Sequence, residues 1–90
     1  MQKKTMADVR ETLGRTMEVV CGKREIKPEH RNKLMRLNEG LNKQLLHDLD
    51  LPEKPGVLSD VSDRTQLSAK AGHLLEMLNN ELSATLHAAS

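Results

Sequence analysis

The residues of this 90-residue chain whose types could support catalysis or metal binding are four histidines, one cysteine and a scatter of acids and hydroxyls. His73 shares one helical face with Glu76 at i+3 and with Met77 at i+4, so a metal site can be drawn around it. Two potential ligands without a third fall short of the three or four that zinc takes. His47 stands next to Asp48 and close to Asp50, but adjacent helical residues point apart, which predicts a solvated helix end. Ser83 and His87 lie at i and i+4 and could touch. A Ser–His contact without an orienting acid or oxyanion donors is not a nucleophile constellation. Cys21 falls at a helix C-terminal end, where the dipole disfavours a thiolate, and reads as a small buried hydrophobe. There is no Gly-rich phosphate loop, paired-cysteine motif or HExxH in the chain. The expectation is a protein without catalytic, metal or cofactor-binding residues and without a small-molecule substrate: not an enzyme.

Binding chemistry is concentrated in a basic cluster: Lys23, Arg24, Lys27, Arg31 and Lys33. Residues 1–36 carry ten Lys/Arg against five Asp/Glu, and residues 37–90 carry four against eight. Such an asymmetry points either to a basic binding face or to pairing between the two parts. Arg31, Lys33 and Arg36 also sit early in a predicted helix that ends in Asp48 and Asp50. That order runs against the helix macrodipole, each misplaced charge costing ~0.3–1 kcal/mol at low salt. Three readings stay open for the basic tip: a solvated hairpin end or one paired with the acidic linker and Asp60/Asp63, a docking point for an acidic protein surface, or a contact with nucleic-acid phosphates. Phosphate contacts would give salt dependence without sequence reading. The six-residue connector and the Leu-rich helix after it fit poorly to a helix-turn-helix.

Three helices position these groups. Thr5-Met-Ala-Asp8 is a capping-box-like start, and Met6, Val9, Leu13, Met17 and Val20 recur every three or four residues, predicting a helix over about 6–21 that stops at a left-handed Gly22. Ile26 is the apolar plug of the connector. Pro28 fits the first position of a second helix, about 28–50, with Leu34, Leu37, Leu41, Leu45 and Leu49 on one stripe and Met35 and Leu46 widening it. Leu51-Pro-Glu-Lys-Pro-Gly56 breaks the pattern, giving a linker over 51–58. A third helix, about 60–88 and capped by Ser59 or Ser62, places Leu67, Ala71, Leu74, Leu78, Leu82 and Leu86 on its seam, with Leu75 and Met77 alongside. Gly14, Gly40 and Gly72 fall inside helices, where close helix approach is one compensation for their cost.

Fifteen leucines and no aromatic residue suit a helical core and remove the stacking platforms of single-stranded nucleic-acid binders. The lone cysteine and the polar start predict a cytoplasmic protein, and the lack of a long apolar run predicts no membrane span. A third helix of roughly 40 Å is more than a compact chain of this size can cover, which predicts a homodimer or higher oligomer.

Val19-Val-Cys-Gly-Lys-Arg-Glu-Ile-Lys-Pro-Glu29, followed by Leu34, Leu37-Asn38 and Leu41-Asn42-Lys43, resembles the helix–Gly–Ile–Pro–helix hairpin of short phage- and prophage-encoded proteins of unknown function. The resemblance covers about half the chain and implies a genomic context more than a mechanism. This chain has a longer, more basic connector, and Arg31 stands where a small residue is common.

The sequence therefore predicts an all-α single domain: a helical hairpin plus a long third helix, as a three-helix bundle or a coiled-coil-like assembly completed by oligomerisation. Leu34, Leu37, Leu41, Leu45, Leu74, Leu78 and Leu82 are expected to build the core and the oligomer interface. Its expected role is that of a helical protein-interaction module, a phage or mobile-element accessory protein binding a macromolecule stoichiometrically. The alternative is a small nucleic-acid-binding regulator that uses the basic tip.

Overall fold

The computed structural model describes residues 4–22 and 25–89. Its first helix, α1 (Met6–Cys21), starts where the capping pattern places it, and the Asp8 carboxylate accepts the Thr5 N–H at 2.9 Å. The helix ends at Gly22, but with φ −74° and ψ 173°, which is extended rather than left-handed. Glycine is needed there for a different reason, because a Cβ would collide with the Glu18 carbonyl oxygen.

The second helix, α2 (Pro28–Asp48), begins at the expected proline and ends two residues earlier than predicted. Asp50 adopts the left-handed conformation, φ 53°. Its N–H donates to the His47 carbonyl at 3.2 Å while the Leu51 N–H reaches back to Leu46 at 2.8 Å. This pair of bonds satisfies carbonyls that the last turn would otherwise leave unpaired.

The largest departure from the predicted boundaries is the third helix, α3 (Ala69–Ala89), which starts at Ala69 and not near residue 60. The residues between α2 and α3 instead include a 3-10 turn, Val57–Asp60, entered through a left-handed Gly56. Tertiary bonds hold this segment out of helix. The Arg10 guanidinium donates to the carbonyls of Leu58 at 2.8 Å and Val61 at 2.5 Å and pairs with the Asp63 carboxylate. The Thr65 and Asp63 carbonyls accept the Met6 and Ala7 N–H groups, two of the donors that the first turn of α1 leaves unpaired. Thr5 bridges to Gln66, and Leu58, Val61 and Leu67 pack against the core. Ser68 then caps α3, its hydroxyl oxygen accepting the Ala71 N–H at 3.1 Å.

The three helices form a three-helix bundle. The α2–α3 pair makes the most extensive contact, α1–α3 less, and α1–α2 the least. Pairs joining His30 to Glu81 and Asp48 to Ser68 set α2 antiparallel to α3. Pairs joining Lys4 to Glu76 and Thr12 to Asn79 set α1 parallel to α3. Leu34, Leu41 and Leu45 meet Ala71, Leu75, Leu78 and Leu82, with Met6 and Val9 of α1 completing the core. Leu37 and Leu74 are only partly buried, and Leu75 takes the central place predicted for Leu74.

Other expectations are also corrected. The buried stripe of α1 passes through Thr12 and Thr16, not Met17, which is 47% exposed. Threonine is tolerated inside because Thr16 donates to the Thr12 carbonyl at 2.8 Å and Thr12 donates to Asn79 at 3.2 Å. Cys21 is exposed rather than buried. Gly14 and Gly40 have no neighbour within 4 Å of a would-be Cβ, so close helix approach within the chain does not account for them.

At 21 residues each, α2 and α3 are both about 31 Å long, so each covers the other's seam. The radius of gyration is 13.3 Å, near the ~12 Å of a compact chain of this length. The length mismatch that predicted a second copy is therefore absent.

Two substitutions test this packing. Leu78→Ala is expected to lower unfolding stability in urea by about 2–5 kcal/mol, while the adjacent Met77→Ala, at a 41% exposed site, stays within about 0.5 kcal/mol. Asp50→Val is expected to lower stability by about 1–2 kcal/mol, because a β-branched residue is strained in the left-handed conformation that Asp50 adopts. Unchanged stability in Asp50→Val would contradict this account of the cap.

Candidate functional site

The helix directions decide what stands at each end of the bundle. At one end lie the C-terminal ends of α1 and α3 and the N-terminus of α2; at the other lie two N-termini and one C-terminus. Two helix ends of one sign outweigh one of the other, so cations suit the first end and acids the second. Lys27, Arg31 and Lys33 occupy the first, and Asp8, Asp48 and Asp63 the second. The charge order of α2, unfavourable for that helix alone, is favourable for its two neighbours.

Particular bonds carry this compensation. Asp48, at the C-terminal end of α2, accepts the Ser68 hydroxyl at 2.6 Å and the Gln44 amide at 2.7 Å. It thus sits against the cap of α3, where a negative charge is stabilising. At the opposite end Glu81 of α3 takes both His30 at 3.3 Å and Lys33 at 3.5 Å. Asp63, expected at the start of α3, lies at the start of α1 instead.

Of the predicted basic tip, Lys23 and Arg24 lie outside the described residues. Lys33 reaches Glu81, whose carboxylate is largely covered, although the lysine itself remains mostly exposed. Lys27 and Arg31 are exposed and form no ion pair among the described residues. Arg31 shares an edge of α2 with Met35, one turn on. Met35 is 40% exposed. Asp8, Thr12 and Arg15 mark the side of α1 turned to α3, since they line the groove between them with Leu75 and Asn79. Helical spacing puts Met17 on the opposite edge of α1, beside the partly buried Leu13. His30 and Lys33 likewise mark the α3 side of α2, and Met35 faces away from it. The two methionines thus border the side of the α1–α2 hairpin that α3 does not cover.

The seam residues named from sequence are occupied within one chain: Leu34, Leu41, Leu45, Leu78 and Leu82 are buried and Leu37 and Leu74 half-buried. Sequence reasoning missed Arg10, which fixes the linker, and missed the exposure of Met17. For Met17 a signal existed: Thr12 and Thr16 continue the Met6–Val9 face at helical spacing, once threonine is allowed a local bond to the preceding turn.

The chemical candidates do not converge. Glu76 turns to Lys4 at 3.8 Å, while His73 is exposed. Both carboxylate oxygens of Asp48 are engaged away from His47. Ser83 and His87 are exposed on α3, with Ser83 lining the groove with α1. No group of three His, Cys, Asp or Glu side chains that could hold a metal occurs among the described residues. Among them, too, no helix is long and apolar enough to cross a membrane. Comparison with models of protein families, with curated proteins and with solved structures finds no match for this chain.

Proposed function

We propose that this chain is a non-enzymatic interaction module that binds an acidic, helical protein surface stoichiometrically through the outer side of its α1–α2 hairpin at the basic end. The observation that carries this reading is that Met17 and Met35 stay 47% and 40% exposed while the leucines of the same helices are buried or partly buried. Methionine is flexible and polarizable, and recurs on surfaces that accept a partner's apolar side chains. Arg31 of α2 and Lys27 just before that helix, both exposed, supply the charge that would orient an acidic partner and speed its encounter. A helix laid along a groove between two others is a common form of such binding.

The hairpin resemblance supports a place among cytoplasmic accessory proteins of phages or mobile elements. A second copy is not needed for folding in this reading, because the seam is enclosed within one chain, and the two methionines are left for a partner of another sequence. The rival is a nucleic-acid-binding regulator, favoured by the cations of the tip that lack ion pairs. Duplex DNA would use Lys27 and Arg31 but has little use for Met17 and Met35.

Capture from source-cell lysate with immobilised chain, beside duplex DNA binding across a salt series, separates these readings. Arg31→Glu and the Met17→Ser/Met35→Ser pair alter exposed residues and should each leave folding stability within about 1 kcal/mol. Each variant is expected to weaken retention of the same captured protein about tenfold or more, equivalent to ~1.4 kcal/mol. Capture indifferent to both variants would overturn the proposal. DNA binding that falls steeply with salt and ignores the methionine variant would replace it with the nucleic-acid reading.

A further inference from the structure

The segment that crosses from α2 to α3 is held differently from the helices beside it. No residue between Leu49 and Lys70 is fully buried, and Leu58, Val61 and Leu67 are only partly covered where they pack on the core. Among the described residues, the long-range hydrogen bonds of residues 57–67 all run to the start of α1. Met6 and Ala7 donate to the Thr65 and Asp63 carbonyls, and Leu67 donates to the Lys4 carbonyl at 2.9 Å. Arg10 makes the others, to the Leu58 and Val61 carbonyls and the Asp63 carboxylate. The Arg10 and Asp63 side chains are 34% and 67% exposed, so this ion pair stands at the surface. Both flanks are fixed independently: the Leu51 N–H reaches Leu46, and Ser68 bonds Asp48 and Ala71. Gly56, left-handed at φ 79°, lies just before the segment.

We propose that residues 57–67 form a strap that opens as one unit while the three-helix bundle stays folded, with Arg10 as its clasp. A segment with few buried apolar contacts, tied by bonds close to solvent, opens at a lower free energy than the core. Opening uncovers three partly buried side chains, whereas global unfolding must also expose Leu34, Leu41, Leu75, Leu78 and Leu82. The Met6 and Ala7 N–H groups released in the open state belong to the first turn of α1, where water takes the place of a protein partner. Bonds inside the strap, Val61 to Leu58 at 3.2 Å and Thr65 to Ser62 at 3.1 Å, survive the opening and keep the segment together. The strap gates the apolar core at the acidic end of the bundle. It lies at the opposite end from the proposed docking surface and does not rest on that reading.

Native-state hydrogen exchange of the full chain, resolved by amide, tests the strap. The Met6, Ala7 and Leu67 amides are expected to exchange with one common free energy, below that of Leu41 and Leu78 and nearly independent of urea at low concentration. Leu78→Ala weakens the bundle equally with the strap open or closed. It should therefore speed the Leu41 amide about tenfold or more and leave the three strap-bonded amides within about twofold. Arg10→Met keeps the aliphatic stem and removes the clasp, and should speed those three amides about tenfold or more. Fraying of residues 4–7 alone would not respond to Arg10→Met. If the three amides follow the core amides in urea or in Leu78→Ala, the strap opens only with the whole fold and the proposal fails. Exchange of Leu67 out of step with Met6 and Ala7, or rates unmoved by Arg10→Met, would equally overturn it. Should Leu78→Ala not fold, the urea series on the unmodified chain decides by itself.

Discussion

The antiparallel set of α2 against α3 is the constraint from which the rest of the structure follows. It brings Leu34, Leu41 and Leu45 onto Leu75, Leu78 and Leu82, enclosing the seam of each helix with that of the other. Burial of that kind contributes about 1.5–3 kcal/mol per large aliphatic side chain, far more than any single surface charge. The same set turns the C-terminal end of α2 toward the start of α3 and its N-terminus toward the C-terminal end of α3. A helix whose charges oppose its own dipole then complements its neighbours: Asp48 meets the Ser68 cap, and His30 and Lys33 meet Glu81.

Twenty residues separate α2 from α3, and they need a reason not to be helix. The backbone bonds of α1 supply one. Its first turn presents N–H groups without partners, and the Thr65 and Asp63 carbonyls take two of them. Arg10 adds a guanidinium fork that gathers two further carbonyls and one carboxylate of the same segment. The segment closes one end of the bundle with Leu58, Val61 and Leu67, and the helix count stays at three because those residues serve better as a lid than as an extension of α3.

Much of this was legible in the sequence. The all-α class, the span of α1, the proline start of α2 and the buried leucines follow from periodicity and capping, which depend on residues close together along the chain. Three features did not, each resting on contacts far apart in sequence. Ser59 and Ser62 look like caps, yet Arg10, about fifty residues earlier, claims the carbonyls beside them. The charge order of α2 looks costly until α3 is laid beside it. Leu74 and Leu75 are equally apolar neighbours, and only the direction of approach of α1 and α2 decides which one is central. For the candidate site, the clustering of Lys27 and Arg31 was visible as charge and the exposure of Met17 could have been read from the Thr12 and Thr16 spacing, but the Thr85 hydroxyl, buried and without a bond partner among the described residues, emerges only from packing.

The buried leucines hold the shape of this chain, while Met17, Met35 and the exposed cations of the basic end take no part in that packing, and the proposed docking surface is built on this division. That division depends on one chain being sufficient to cover the α2–α3 seam. Thermal unfolding followed by circular dichroism over a hundredfold range of protein concentration tests this directly. The account expects a single midpoint that does not move with concentration. A midpoint that climbs steadily as the protein is concentrated would mean that a second copy completes the core, and would contradict it.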